Sequence, residues 1–377
     1  MAQTSFSSTP SPKTALVTGA SGYIGLHIVN TLLEEGWTVH GTVRSLRDER
    51  KVQPLRDVAE KYHAQDRMRL FEADLLTPDS FLEAMKSCDV VFHVASPFFA
   101  PEKVRDPQKQ LVEPALEGTR NVLNCVEKTE CVRRVVLTSS GWYTQASSRN
   151  MSRSLLTSDR VAATFGDNAD VLQYPNQTLT EDNWNTTSTL QHNPYQYSKT
   201  LAEKEAWKLA SAQCRWDLVV ICPGLVLGPS LTPASSSGSL DLLDQVLRGL
   251  MVVGAPDLSF AIVDVRDVAL AHVRAATVPE AHGRYIVADG KLTSVLEVAR
   301  CLKKVAKWPQ LLPSWVLPHF VFRMVAPLMG LSMRWADLNQ GVVFRVDNER
   351  ATRELGINYR PVETTLEEHY RAWAGEI

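Results

Sequence analysis

Short apolar runs alternate with amphipathic stretches through much of the chain. Residues 13–18 (KTALVT) read as a buried strand that ends in glycines. Residues 22–35 follow with Ile24, Ile28, Leu32 and Leu33 at helical spacing, and Gly36 stands where a C-cap would. Thr38–Val43 (TVHGTV) reads as a second strand, and 69–72, 89–93 and Arg134–Thr138 supply three more, separated by helical segments. Strand and helix in this alternation predict a parallel sheet covered on both faces, and hence an α/β fold.

The regularity stops between residues 141 and 193, a segment rich in Ser, Thr, Asn, Asp and Gln. So long a stretch without periodicity inside a compact domain reads as a functional loop or insertion. Helix and strand return over 195–212 and 217–222. From about Gly224 the pattern changes to Pro/Gly/Ser-rich loops alternating with helices. The predicted organisation is a tail over 1–12, a nucleotide-binding domain over 13–223 carrying the 141–193 insertion, and a smaller substrate lobe over 224–377, with some segments returning to the first domain. Residues 312–330 (LPSWVLPHFVFRMVAPLMG) are strongly apolar. Three prolines, His319 and Arg323 interrupt them, which argues against a spanning helix. The reading adopted is a buried helix beside the substrate pocket, with a surface touching lipid as the alternative.

Composition narrows the function classes. The chain has 377 residues, 44% of them apolar and 22% charged, with a formal net charge of −2. That balance gives no reason to expect a nucleic acid or an anionic membrane as partner. The six cysteines form no CxxC pair and no metal-ligand spacing, and read as small apolar residues of a reducing compartment. The first dozen residues lack the pattern of a signal peptide, so a cytoplasmic location is expected and the Asn-x-Ser/Thr sequons at Asn150, Asn176 and Asn185 carry no weight. Neither the oligomeric state nor a metal site is indicated.

The first strand–helix junction carries Gly19, Gly22 and Gly25 in GASGYIG. One glycine permits a tight turn, one lets the backbone approach a pyrophosphate, and one allows close helix–sheet packing. A strand before, a helix after and a second strand following are the context in which such a triplet binds a dinucleotide. The end of that second strand chooses between cofactors. An acidic residue there would hold a ribose 2′-hydroxyl; this chain has Arg44, with Arg47, Arg50 and Lys51 close behind. A guanidinium pairs with a 2′-phosphate that a carboxylate would repel, so NADP(H) is expected.

Tyr195-Gln-Tyr-Ser-Lys199 opens a helix, and its four-residue spacing puts the Tyr195 and Lys199 side chains on one face. A neighbouring ammonium, helped by oxidised nicotinamide, favours the phenolate and brings a tyrosine nearer to acid–base work at neutral pH. Ser140, at the end of VVLTSS, could hydrogen-bond a substrate oxygen. Tyr197 has no lysine four residues on.

With these pieces in order, the chain resembles the extended short-chain dehydrogenase/reductase family, in the branch of dihydroflavonol reductases, cinnamoyl-CoA reductases and related ketone and aldehyde reductases. The likeness rests on TGASGYIG, TVR, ADL at 73–75, FHVASP at 92–97, VVLTSS at 135–140, YQYSKTLAEKEAW at 195–207, PGLVLGPS at 223–230 and VDVRDVALAH at 263–272. It implies a Rossmann-type, doubly wound parallel sheet with a smaller C-terminal substrate lobe. It also implies that Ser140 helps hold a carbonyl, that Tyr195 gives or takes the proton, and that Lys199 binds the nicotinamide ribose and tunes Tyr195. By the same likeness Ser21, Tyr23 and Ile24 join the glycine turn around the cofactor. Arg44 and Lys51 take the 2′-phosphate, Asp74 and Leu75 border the adenine, and Val94, Ala95 and Ser96 follow the cofactor. Thr138, Pro223, Gly224, Leu225, Val226 and Ser239 complete its pocket, and Gln145 falls where plant members contact substrate. Aromatics after the serine (Ser140-Gly-Trp-Tyr), the long 141–193 segment and the region past about 300 depart from the pattern.

The resulting expectation is NADPH-dependent reduction of a ketone or aldehyde on a hydrophobic small molecule. Phe98, Phe99, Trp142, Tyr143 and the 312–330 stretch are candidates for apolar walls. A sterol-type dehydrogenase working oxidatively is the first alternative, and a nucleotide-sugar epimerase or dehydratase a weaker one. A non-catalytic NADP(H) sensor is the alternative of another class.

Overall fold

The structure, a computed structural model, describes residues 14–96, 106–139, 164–233, 235, 237–329 and 331–376. In chain order, β1 (Thr14–Thr18), α1 (Tyr23–Glu34), β2 (Thr38–Val43), α2 (Glu49–Lys61) and β3 (Met68–Glu72) form the first half of the nucleotide-binding unit. A short α3 (Leu82–Met85) leads to β4 (Val90–His93), and a π-helical turn at Gln108–Val112 runs into α4 (Glu113–Lys128) and β5 (Arg134–Thr138). Next come α5 (Asn168–Val171), the two-residue strand β6 (Thr178–Leu179), α6 (Pro194–Ser211), β7 (Asp217–Pro223) and β8 (Leu225–Leu227). They are followed by α7 (Gly238–Leu247), β9 (Ser259–Asp264), α8 (Val265–Thr277), β10 (Gly283–Val287), β11 (Leu292–Ser294) and α9 (Val295–Lys303). The C-terminal part holds α10 (His319–Val325), α11 (Met333–Asn339), β12 (Arg345–Val346), α12 (Glu349–Leu355) and α13 (Val362–Trp373).

Seven strands pair in the order β10-β7-β5-β4-β1-β2-β3, every pairing parallel. The period-two geometry of a strand divides its residues between two cores. Leu16, Val91, Val135 and Val220 fall in the core that also holds residues of α3, α4 and α6. Ala15, Val17, Phe92, Val136 and Ile221 fall in the one that holds residues of α1, α2 and α8. From β1 the chain winds outward to β2 and β3, and from β4 it winds the other way. The crevice beyond the carboxyl ends of β1 and β4 is therefore the topological switch point, where such sheets bind ligands.

The expected strands are present to within a residue or two, and the doubly wound architecture stands. Three features go beyond what could be read. Segments past Gly224 were expected to return to the first domain without being specified, and it is β10 that closes the edge of the main sheet against β7. The supposedly irregular 164–193 region holds α5 and β6, and β6 pairs in parallel with β12 from the far end of the chain. The expectation of a buried helix over 312–330 is overturned. Only His319–Val325 is α-helical, because the prolines at 313, 318 and 327 break the run. Within it Phe322 is fully buried, whereas Trp315, Phe320 and Met324 are 51%, 66% and 73% exposed. Among the described residues no helix is long and apolar enough to cross a membrane.

Candidate active site

Gly19 follows β1 at φ +64°, a left-handed conformation that favours glycine, and a Cβ there would sit 3.0 Å from the Ala95 backbone. A Cβ on Gly25 would lie 2.4 Å from the Gly19 carbonyl oxygen. Gly22 is the N-cap of α1 and brings no side chain to cap it, which leaves the positive helix end to an anion. The turn thus fits a pyrophosphate. Gly25→Ala is expected to force the turn open and weaken dinucleotide binding, at a cost near the 1–3 kcal/mol typical of overpacking; thermal melts with and without cofactor check this. Ser21 and Ile24 flank the turn half-buried, but Tyr23 is committed elsewhere. Its hydroxyl donates to the Gly228 carbonyl at 2.9 Å, tying α1 to the loop after β8.

One network at the crevice was not anticipated. The Thr18 hydroxyl oxygen accepts from the N–H groups of Val94 and Ala95, at 3.1 and 3.0 Å. Its single proton therefore goes to His93 Nδ1, 3.1 Å away, which fixes a neutral His93 with its proton on Nε2. Burial supports this by pulling His93 down to about 3, with the nearby Lys199 charge acting in the same direction. The 94–96 segment is thereby moulded against the glycine turn.

At the end of β2, Arg44 is exposed and makes no ion pair among the described residues. Lys51 lies near enough to feel it: burial first, and the Arg44 charge among the weaker causes, hold Lys51 below the usual lysine range. Two cations that repel each other suit a doubly charged anion. Asp74 turns its carboxylate back onto the Leu76 N–H at 2.8 Å, and Leu75 lines the crevice.

Thr138 ends β5 with its hydroxyl 2.7 Å from His272 Nε2. His272 Nδ1 lies 2.8 Å from the Val268 carbonyl and donates to it, so Nε2 accepts the Thr138 proton. Pro223, Gly224, Leu225 and Val226 are buried, as is Ser239 in the first turn of α7. Gly224 has a packing reason of its own, since a Cβ would meet the Ala261 carbonyl oxygen at 2.4 Å. Ser140 and Gln145 lie outside the described residues, as do Phe98, Phe99, Trp142 and Tyr143.

The helix that carries the tyrosine is set by the residues before it. Asn193 takes a left-handed N-cap conformation at φ +59°, and Pro194 occupies the first helical turn. The Asn193 amide donates to the Gly166 carbonyl and to the Asp167 carboxylate, at 3.2 and 3.1 Å. Tyr195 is buried, with its side chain hydrogen-bonded to Ser96. Lys199 lines the crevice together with Ala95, Ser96, Thr138 and Ser139, its Nζ 5.9 Å from the Tyr195 ring centre.

The expected lowering of Tyr195 by its lysine is not what the chain alone produces. Burial pushes Tyr195 well above the ordinary tyrosine range, and the Ser96 hydrogen bond only partly offsets it. Lys199 moves the other way: burial pulls it down to about 8, against the opposing charge of Glu203. The ammonium is then intact below about pH 8 and lost above it. Turnover and cofactor affinity are both expected to fall as pH rises through about 8, which pH–rate and pH–binding profiles measure.

A doubly wound sheet with a glycine-rich turn packed against Ala95 of its switch-point crevice, and with Lys199 of a Tyr-x-x-x-Lys helix lining that crevice, is the architecture of a dinucleotide-dependent oxidoreductase. Comparison with known proteins agrees. Residues 15–288 match the NAD dependent epimerase/dehydratase family. The cinnamoyl-CoA reductase CAD2 of Medicago truncatula is 34% identical over 353 residues, covering 93% of both chains. A bifunctional dihydroflavonol 4-reductase/flavanone 4-reductase of Pyrus communis is 32% identical over 299 residues, 78% of this chain and 76% of its own. Among solved structures, the yeast methylglyoxal/isovaleraldehyde reductase Gre2, complexed with NADPH, superposes with a TM-score of 0.69 at 24% identity, over 97% of this chain and all of its own. The chain belongs to the NAD dependent epimerase/dehydratase family, as one of its extended short-chain dehydrogenase/reductases.

Proposed function

We propose that this protein reduces a ketone or aldehyde on a hydrophobic small molecule, using NADPH. The observation that carries the reading is the crevice itself, where Lys199 and the tyrosine-bound Ser96 line the space next to the glycine turn. The phosphate end is supported by the uncapped start of α1 and by the Arg44 and Lys51 cations.

Bound there, NADPH supplies the hydride. The protein's own groups do the rest. Tyr195 and Ser140 hold the carbonyl oxygen, and Tyr195 gives that oxygen its proton. A tyrosine that burial keeps protonated suits this direction, because an alkoxide is far more basic than a phenolate and takes the proton downhill. The Lys199 charge stabilises the phenolate left behind until solvent restores the proton.

The test follows the reduced-nicotinamide absorbance band with NADPH and NADH against aliphatic, aromatic and polycyclic carbonyls. NADPH-selective consumption is expected, and the best substrate would name the subclass. Silence with every carbonyl, and then with NADP⁺ and alcohols or sterols, would overturn the assignment in favour of a non-catalytic sensor.

A further inference from the structure

One turn beyond Lys199 on the same face of α6 stands Glu203, and a further turn on stands Trp207. Glu203 is only 1% exposed, yet it lines the crevice beside Lys199. Two donors and a cation converge on its carboxylate. The Ser139 hydroxyl donates from the end of β5, and Trp207 Nε1 donates at 3.3 Å. Arg284 of β10 reaches in to form an ion pair at 2.7 Å. Arg284 is itself buried; it donates to the carbonyls of Glu181 and Asn183, each at 2.7 Å, and stacks 4.1 Å from the Trp184 ring centre.

A buried ion pair is a poor way to gain stability, since apolar side chains of similar volume usually serve as well. Its retention beside a crevice lysine calls for another reason. We infer that Glu203 is a positioning residue whose fixed negative charge, itself held by Arg284, Ser139 and Trp207, is the counter-ion that keeps Lys199 charged. This rests on the reading of Lys199 proposed above.

The groups around Lys199 support that assignment. His93 of β4 is neutral and cannot neutralise an ammonium. Cys222 of β7, which feels Arg284 and Glu203, is pushed up to about 12 and stays a thiol. Tyr195 on the same helix holds its proton. From α4, the crevice receives Ala115, Gly118 and Thr119, while Arg120 pairs with Glu205 at 2.9 Å. Among the described residues, it is the charge of Glu203 that holds Lys199 up against the pull of burial.

The test compares Glu203→Gln and the double variant Glu203→Gln/Arg284→Met, which leaves no unpaired buried cation. Whichever of the two melts within a few degrees of the wild type is then read. NADPH binding by fluorescence and kcat are both measured against pH. The expected result is an alkaline limb lower by about one pH unit in both profiles, the shift that loss of a nearby opposite charge produces, with KM for the carbonyl little changed. Glu203→Asp should restore part of the shift. An alkaline limb left where the wild type has it would overturn the inference and leave Glu203 a structural residue. If instead Lys199→Met leaves both wild-type profiles unaltered, the assignment of Lys199 itself fails.

Discussion

Tyr195→Phe is expected to lower kcat by on the order of 10³-fold, within the 10²–10⁴ range for loss of a positioned general acid. NADPH affinity should stay within a factor of about three, because the hydroxyl is bonded to Ser96 and not to the phosphate-binding turn. The ring that fills the buried site remains, so the melting temperature should hold or rise slightly. Stopped-flow single turnovers separate the outcomes: chemistry should slow while cofactor binding does not. A variant with full activity would remove Tyr195 from the mechanism, and the proposed reductase chemistry would have to find its proton elsewhere.

The second large effect concerns the choice between cofactors. Arg44→Glu places a carboxylate where a 2′-phosphate would sit, and Lys51→Ala removes the cation that already feels Arg44. A hydrogen bond to a charged group contributes about 1.5–3 kcal/mol, so each change should raise KM for NADPH by roughly 10- to 100-fold. Arg44→Glu should improve NADH use at the same time, since the new carboxylate can accept from a ribose hydroxyl. High salt should blunt the wild-type preference, because Arg44 is exposed. A double variant with unchanged selectivity would sink the NADP(H) assignment while leaving the fold and the Tyr/Lys site untouched.

What could be read from the sequence was what local patterning specifies. β1, α1 and β2 were found because their apolar spacing, the glycines and Gly36 all agree, and α6 because its Tyr195-to-Lys199 spacing is helical. The unseen parts depend on distance along the chain. β6 is two residues long and exists only because β12, more than 160 residues on, lies beside it. β10 looks like any short strand of a second lobe, and nothing local assigns it to the edge beyond β7. At the site, Thr18 and His93 sat inside recognised motifs, yet their hydrogen bond links positions 75 residues apart. Glu203 was visible only as one acid in the helix that Tyr195 opens, and its burial needs Arg284, from the returning strand, to make sense. The 312–330 stretch misled because apolar content alone predicts burial, whereas its prolines break the helix that burial would need.

The return of β10 bears on how such enzymes can be rebuilt. A swap of everything after Gly224, the obvious cassette for transplanting substrate preference, would also discard the strand that seals β7 and the arginine seated under Glu203. Where the incoming strand and side chains fit the recipient poorly, it would be left with a raw sheet edge and an orphaned carboxylate one turn from Lys199. Successful chimaeras should therefore be discontinuous, replacing loops and helices around residues 283–287 while the parent's own strand stays in place. Inheritance in this scaffold follows spatial neighbours, so recombination breakpoints belong where β10 stays with β7 and Arg284 with Glu203.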